Sequence, residues 1–445
     1  MDSEQFPHSK KRSNHTIFAI DLLHMRFDQY NFDSSIKKNL EALGFKKPTD
    51  IQYKSIPSIM KGEDVLAIAQ TGTGKTAAFA IPIIDMIKTQ KRVDVAKYTR
   101  ALVMVPTHEL AIQIEGVFKE IGKDTEVWPL ALIGGVDQAP QIEKLKKGVD
   151  VVIATPGRMF DLISQGFLKL KDLQFLILDE ADHMLDLGFY QDIKDIIFKT
   201  PRTRQTMFFS ATINDKIKDL AYSIVRNPIR IQVSPKNPVN KNITHSLAYI
   251  EMDDKRFFLE RVIHENSESK ILVFVRTKVR AERVASAMAR VNVKAETIHS
   301  DKDQEERTRV MQSFGSGELK ILIATDVSAR GVDIPNVDFV VNYDLPDVAE
   351  NYVHRIGRTG RGMNKGIAIS FCSTTEIEYL KAIEEYIGLK VSVIDITKDE
   401  YNKTLDFSET PENEDWKTLI EESEEHLAKA KKKKGQKKNK KRTQN

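Results

Sequence analysis

Cysteine is all but missing: Cys372 stands alone in 445 residues, so no intramolecular disulfide can form and no thiolate cluster can hold zinc. Long apolar runs are missing too. None approaches the ~20 residues that a membrane-spanning helix needs, and the N-terminal stretch, with Lys10, Lys11 and Arg12 ahead of a segment broken by Asp21, lacks the core of a signal peptide. A cytoplasmic protein away from membranes is the expectation. Hydrophobic residues make up 41% of the chain, which is enough to bury ordinary cores at a length suited to two or three domains.

Acidic residues are absent from the basic C-terminal stretch. Between Lys429 and Asn445 the chain carries ten Lys/Arg and no Asp or Glu, so subtracting ten from the net charge of +4 leaves −6 on the remainder. An acidic segment with Glu409, Glu412, Glu414, Asp415, Glu421, Glu422, Glu424 and Glu425 leads into this arm. Such composition cannot form a core, but its basic end attracts phosphate polyanions.

Elsewhere, short apolar, β-branched runs recur at 64–70, 100–106, 149–155, 175–181 and 205–212, and again at 270–277, 294–300, 320–327, 339–344 and 366–372. Helix-period segments separate them. This alternation predicts an α/β fold of parallel sheets covered by helices, with ligands at the carboxyl ends of strands. Breaker residues between Asn227 and Asn242 place a linker at 233–243. The expected division is a first domain over 25–232, a second over 244–395, and a disordered tail over 396–445. Residues 1–24 fit neither domain and read as an extension or as a product of start-site choice.

Two strand-end motifs carry chemistry. After Asp64-Val65-Leu66-Ala67-Ile68 comes Ala69-Gln70-Thr71-Gly72-Thr73-Gly74-Lys75-Thr76, a P-loop in which glycines let backbone amides close around phosphate. Lys75 is placed for the β/γ-phosphates and the Thr76 hydroxyl for Mg²⁺. About a hundred residues on, Phe175-Leu176-Ile177-Leu178 ends in Asp179-Glu180-Ala181-Asp182. Asp179 would hold Mg²⁺, directly or through water, and Glu180 would orient and deprotonate an attacking water. The pair reads as an NTP-hydrolysing site, but it names no substrate.

In order along the chain stand Phe27, Gly44-Phe45-Lys46-Lys47-Pro48-Thr49-Asp50-Ile51-Gln52, the P-loop, Pro106-Thr107-His108-Glu109-Leu110, Gly134-Gly135, Thr155-Pro156-Gly157-Arg158, the acidic tetrad and Ser210-Ala211-Thr212. Then follow Val273-Phe274-Val275-Arg276-Thr277, Gln304 with Arg307, Thr325 to Asp333, and His354 to Arg361. Over residues 27–372 this sequence resembles the DEAD-box RNA helicases, and within them the bacterial RhlE-like branch. The resemblance implies two tandem RecA-like P-loop domains and an ATP-dependent RNA helicase. ATP and Mg²⁺ would be its cofactors, and single-stranded RNA or short duplexes, read with little sequence specificity, its substrate.

Residue roles follow from the same resemblance. Phe45, Gln52 and residues 71–76 would hold ATP, with Gln52 reading adenine, while Asp333 would contact the ribose. Arg358 and Arg361 would act as arginine fingers, joining Lys75, Asp179 and Glu180 in catalysis. Pro106, Thr107, His108, Gly134, Gly135, Thr155, Pro156, Gly157, Arg158, Arg276, Arg307 and Thr325 would line the RNA. Asp182, Ser210, Thr212 and His354 would couple the two sites. Phe27 is either the family's upstream aromatic or a plain core residue. A monomer is expected, with ribosomal or RNA-decay proteins as partners of the tail. Two positions depart from the family: His108 stands where Arg is usual, and Ser300 follows His299 where Gly is usual. The rival reading is an ATP-gated RNA clamp or annealing factor that does not unwind.

Overall fold

A computed structural model of the chain describes residues 25–69, 72–90, 98–233, 239–326, 337–360 and 365–406. Seven strands form a first sheet: β1 (Val65–Ala69), β2 (Ala101–Met104), β3 (Pro129–Leu132), β4 (Val151–Ala154), β5 (Phe175–Leu178), β6 (Gln205–Ser210) and β7 (Ile229–Val233). Seven more form a second: β8 (Ile243–Tyr249), β9 (Ile271–Phe274), β10 (Ala295–Ile298), β11 (Ile321–Ala324), β12 (Phe339–Asn342), β13 (Gly366–Cys372) and β14 (Ser392–Val393). Their spatial orders are β3-β4-β2-β5-β6-β1-β7 and β10-β11-β9-β12-β13-β8-β14. All pairings are parallel. The two RecA-like units are therefore the predicted α/β folds.

Parallel strands buried on both faces require apolar residues at every position, and the alternation of side chains sends them to two cores. Val65, Ala67 and Ala69 of β1 join one apolar cluster while Leu66 and Ile68 join the other. In the second unit Leu272 and Phe274 of β9 face one cluster, Ile271 and Val273 the other. Phe27 proves to be core: it is 3% exposed and meets Phe45 edge-on at 5.9 Å between ring centroids.

Four strands fall outside the runs expected from the sequence, and three of them lie at sheet edges. β3 opens on Pro129, which an edge strand tolerates. β7 exposes Ile229 and Arg230, and both residues of β14 are exposed. β8, next to the edge, mixes buried and exposed positions.

The expectation that the fold ends at residue 395 needs correction, because Lys398–Asp406 is a helix packed on the helix Lys255–Glu265. Tyr401 lies 4.9 Å from Phe258 between centroids, and its hydroxyl donates to Asp254 at 2.7 Å. Arg261 donates to Thr404 Oγ1 at 2.7 Å. Thr397 and Glu400 exchange backbone bonds as a capping box. Two anchors three residues apart dock a segment whose average composition reads as solvated. Residues 1–24 and the acidic and basic segments beyond 406 lie outside the described residues. Among those described, no helix is long and apolar enough to cross a membrane.

Candidate active site

Strand order divides the carboxyl edge of the first sheet in two. β5, β6 and β1 adjoin one another and end at Asp179, Ser210 and the P-loop. β3, β4 and β2 adjoin on the other side and end near Gly134, Thr155 and Pro106. In the second unit the neighbours β10, β11 and β9 lead to Gln304, Thr325 and Arg276. One topology thus places a phosphate-type site and a candidate RNA track side by side.

Gly72 and Gly74 adopt φ of +80° and +88°, and the helix Lys75–Gln90 starts directly after them, so backbone amides and the helix N-terminus face the loop. Lys75 is 6% exposed, and its Nζ has no hydrogen-bond partner among the described residues. A buried ammonium left so is costly unless an anion meets it, which fits a nucleotide phosphate. Gln52, 2% exposed, accepts from the Thr49 N–H at 2.9 Å and donates to the Gly74 carbonyl at 3.1 Å. Its amide thereby ties a helix start to the P-loop and retains one N–H and one lone pair for a base. A Cβ on Gly74 would lie 2.5 Å from Gln52 Nε2. Gly74→Ala is expected to destabilise the protein by about 1–3 kcal/mol through its positive φ, with weaker nucleotide binding. Thermal unfolding and fluorescent-nucleotide titration would check this, and unchanged values in both would contradict it.

Asp179 ends β5, buried at 2% exposure, and Glu180 turns the chain into the helix Ala181–Asp186 with φ 51° and ψ 48°. That left-handed conformation is strained for a residue with a Cβ. The environments of the two carboxylates differ. Burial pushes Asp179 up to about 6, against the pull of Lys75. Burial would raise Glu180 as well, but the His183 hydrogen bond and the charges of His183, Lys75 and Arg358 hold it at about 2. Glu180 is therefore ionised at neutral pH. His183, whose Nδ1 lies 3.4 Å from Glu180 Oε2, is a site neighbour that motif reading passed over. Its place three residues along a helix from Glu180 was the available signal. Among the described residues no group of three His, Cys, Asp or Glu could hold a metal. Mg²⁺ binds through one or two carboxylates plus substrate phosphates, and the buried carboxylate of Asp179, on which the Lys75 charge acts, would fit such a site.

Asp182 accepts from the N–H groups of Ala211 and Thr212, each at 3.1 Å, and from the Thr212 hydroxyl at 3.3 Å. The acidic tetrad and the end of β6 are thereby joined, while Ser210 Oγ is buried with no hydrogen-bond partner among the described residues. Glu180, Asp182 and Thr212 of the first unit line one cleft with Glu350, His354 and Arg358 of the second. Arg358 is 4% exposed. Thr71, Asp333 and Arg361 lie outside the described residues.

On the other side of the edge, Thr107 and Thr155 begin helices, Thr107 accepting from Leu110 N–H at 3.3 Å. Gly135 has φ of +72°. Several expected RNA contacts hold protein partners here. Arg158 donates to the Val136 carbonyl at 2.8 Å. Arg307 pairs with Glu109 at 2.9 Å. His108 Nδ1 lies 2.9 Å from Gln304 Oε1, while Gln304 Nε2 reaches Glu109 at 3.4 Å. The departure from Arg at position 108 thus places a short ring against the opposite unit.

The family profile described as DEAD/DEAH box helicase matches residues 49–220, and that of the helicase conserved C-terminal domain matches 254–363. The DEAD-box ATP-dependent RNA helicase CshA of Bacillus cereus is 40% identical over 371 residues, 83% of this chain and 69% of that protein. Among solved structures, Saccharomyces cerevisiae Dbp5 bound to RNA and ADP BeF3 is 29% identical with a TM-score of 0.75, covering 86% of this chain and 99% of that one. Mss116p bound to ssRNA and AMP-PNP is 28% identical with a TM-score of 0.76, covering 87% and 83%. Two parallel-sheet units with a P-loop on the first and an arginine of the second facing its carboxylates define a two-domain nucleotide motor. The chain belongs to the DEAD-box ATP-dependent RNA helicases, and it hydrolyses ATP.

Proposed function

We propose that ATP hydrolysis in this chain completes only when its two units close over RNA, and that closure separates short duplexes locally. The observation that carries this reading is Arg358: it belongs to the second unit, is buried, and its charge acts on Glu180 of the first. A site divided between two bodies is fast only when they meet.

Lys75 and the P-loop amides bind the phosphates, and Thr76 with Asp179 would hold Mg²⁺. The metal, when bound, neutralises charge developing on the phosphates. Glu180, ionised, orients the attacking water and accepts its proton. Arg358, and by motif Arg361, stabilise charge on the γ-phosphoryl group. Gln52 and Phe45 hold adenine, and Asp333 the ribose. The Asp182–Thr212 bonds link the catalytic turn to the domain interface, where His354 sits.

RNA runs along Pro106 to His108, Gly134-Gly135 and Thr155 to Arg158 in the first unit, then Arg276, Arg307 and Thr325 in the second. Glycines, helix starts and arginines grip a sugar–phosphate track without reading bases. The first unit runs through β7, which ends at Val233, and the second begins with β8 at Ile243, so the joint lies between them and is shorter at both ends than the expected 233–243. The helix at 398–406 extends the second, and the basic arm tethers RNA, acting in the cytoplasm with ribosomal or RNA-decay proteins as partners of a monomer. ATP should drive strand displacement from short duplexes, with yield falling steeply as the duplex lengthens. Equal yields from duplexes of several turns would contradict local unwinding. No displacement at any length, with RNA-stimulated hydrolysis intact, would favour the clamp.

A further inference from the structure

Outside the nucleotide site, the second unit buries a cluster of charge where β9, β12 and β13 end. Lys255, Asp344 and Glu376 have side chains with 0% exposure. The Lys255 ammonium donates to the carbonyls of Tyr343 at 2.7 Å and Phe371 at 3.3 Å, and to Glu376 Oε2. Glu376 also accepts from the Ser373 N–H and Oγ, each at 3.0 Å, and from the Leu345 N–H at 3.1 Å. Burial opposes its charge, but Lys255 and Ser373 prevail and hold its carboxyl below the usual range. Packing charge this deeply gains a fold little by itself, since desolvation offsets the attraction. It does yield a carboxylate that cannot move.

That carboxylate grips an arginine. Glu376 Oε1 lies 3.2 Å from Arg276 Nη2, and the Arg276 side chain keeps 26% exposure. The Arg276 N–H donates to Asp344 Oδ2 at 3.1 Å, and the guanidinium lies over the Tyr379 ring at 5.2 Å from its centroid. Arg280 Nε stands 3.1 Å from Asp344 Oδ1 with its side chain 31% exposed. Three cations face two anions, and the excess positive charge sits on the two arginines that reach the surface.

We propose that Glu376, backed by Lys255, is a positioning residue for RNA: it fixes the Arg276 guanidinium so that the remaining N–H groups meet a strand phosphate. This rests on the reading of Arg276 as an RNA contact. A guanidinium held by one edge and stacked on a ring loses little further freedom on meeting an anion, so its bond is gained at smaller entropic cost. Neither Lys255 nor Glu376 touches RNA.

The test is single-stranded RNA affinity across a salt series for Glu376→Gln, Glu376→Asp, Arg276→Met and the Glu376→Gln/Arg276→Met pair. Arg276→Met should weaken binding about tenfold and Glu376→Gln about fivefold, each lowering the log–log salt slope by about 0.7, one single-strand phosphate. The double variant should bind no worse than Arg276→Met. In Glu376→Gln the RNA concentration for half-maximal ATPase should rise while kcat at saturating RNA holds, a split that general loosening of the core would not give. Glu376→Asp keeps the charge that Lys255 needs but draws the carboxylate back from Arg276, and should show the same loss if the Gln variant does not fold. Additive losses, or unchanged affinity in both Glu376 variants, would overturn the inference. Unchanged affinity and slope in Arg276→Met would remove the RNA reading of Arg276, and the inference with it.

Discussion

Glu180→Gln is expected to lower RNA-stimulated ATP turnover by about 10²–10⁴-fold, the range for loss of a positioned general base, while ATP and RNA still bind. The amide keeps the shape of the side chain, and its oxygen can still accept from His183, so the strained turn at φ 51° should persist. The charge is what disappears. Glu180 is one of the charges pushing Asp179 upward, so removing it eases ionisation of Asp179 rather than weakening the metal site. The variant should therefore accumulate as a closed complex of ATP and RNA. Single-turnover hydrolysis beside equilibrium nucleotide binding would measure this. Loss of affinity in proportion to loss of rate would assign Glu180 to ground-state binding.

Arg358→Ala should lower RNA-stimulated turnover by about 10³–10⁵-fold, as removal of an arginine finger does, with ATP affinity of the first unit little changed. The residue belongs to the second unit but is 4% exposed in the shared cleft, so the substitution removes the charge acting across it. Arg358→Lys should recover only part of the rate, because an ammonium supplies a point charge without the planar fork. Rates with saturating RNA, compared with those of Glu180→Gln, would decide this. An Arg358→Ala enzyme still stimulated to within tenfold of the parent would show that the site does not need the second unit's arginine.

Arg358 was legible only through the resemblance to the DEAD-box helicases, whereas Glu180 was legible because acidic-tetrad chemistry downstream of a P-loop fixes residue type and spacing along the chain. The central strands were legible for a related reason. Burial on both faces forces unbroken apolar runs such as Phe175 to Leu178. Edge strands β7 and β14 escape because their exposed positions need no such run, β3 because Pro129 interrupts the strand signal of an otherwise apolar stretch, and the helix at 398–406 because its docking residues, Tyr401 and Thr404, sit in a polar segment. At the site, motif order could not show what folding brings together from distant segments. His108 meeting Gln304 spans 196 residues, and Lys255 meeting Glu376 spans 121. His183, by contrast, was within reach of helical spacing. The Ser373-to-Glu376 capping box carries a local signature, yet nothing local points from Glu376 to Arg276.

Steady-state ATPase with Mg²⁺, with single-stranded RNA, with DNA of matched sequence and with neither, tests the central claim most directly. Closure over RNA predicts slow hydrolysis alone, strong stimulation by RNA and little by DNA. Hydrolysis that is already fast without nucleic acid, or raised equally by DNA, would contradict RNA-driven completion of the site.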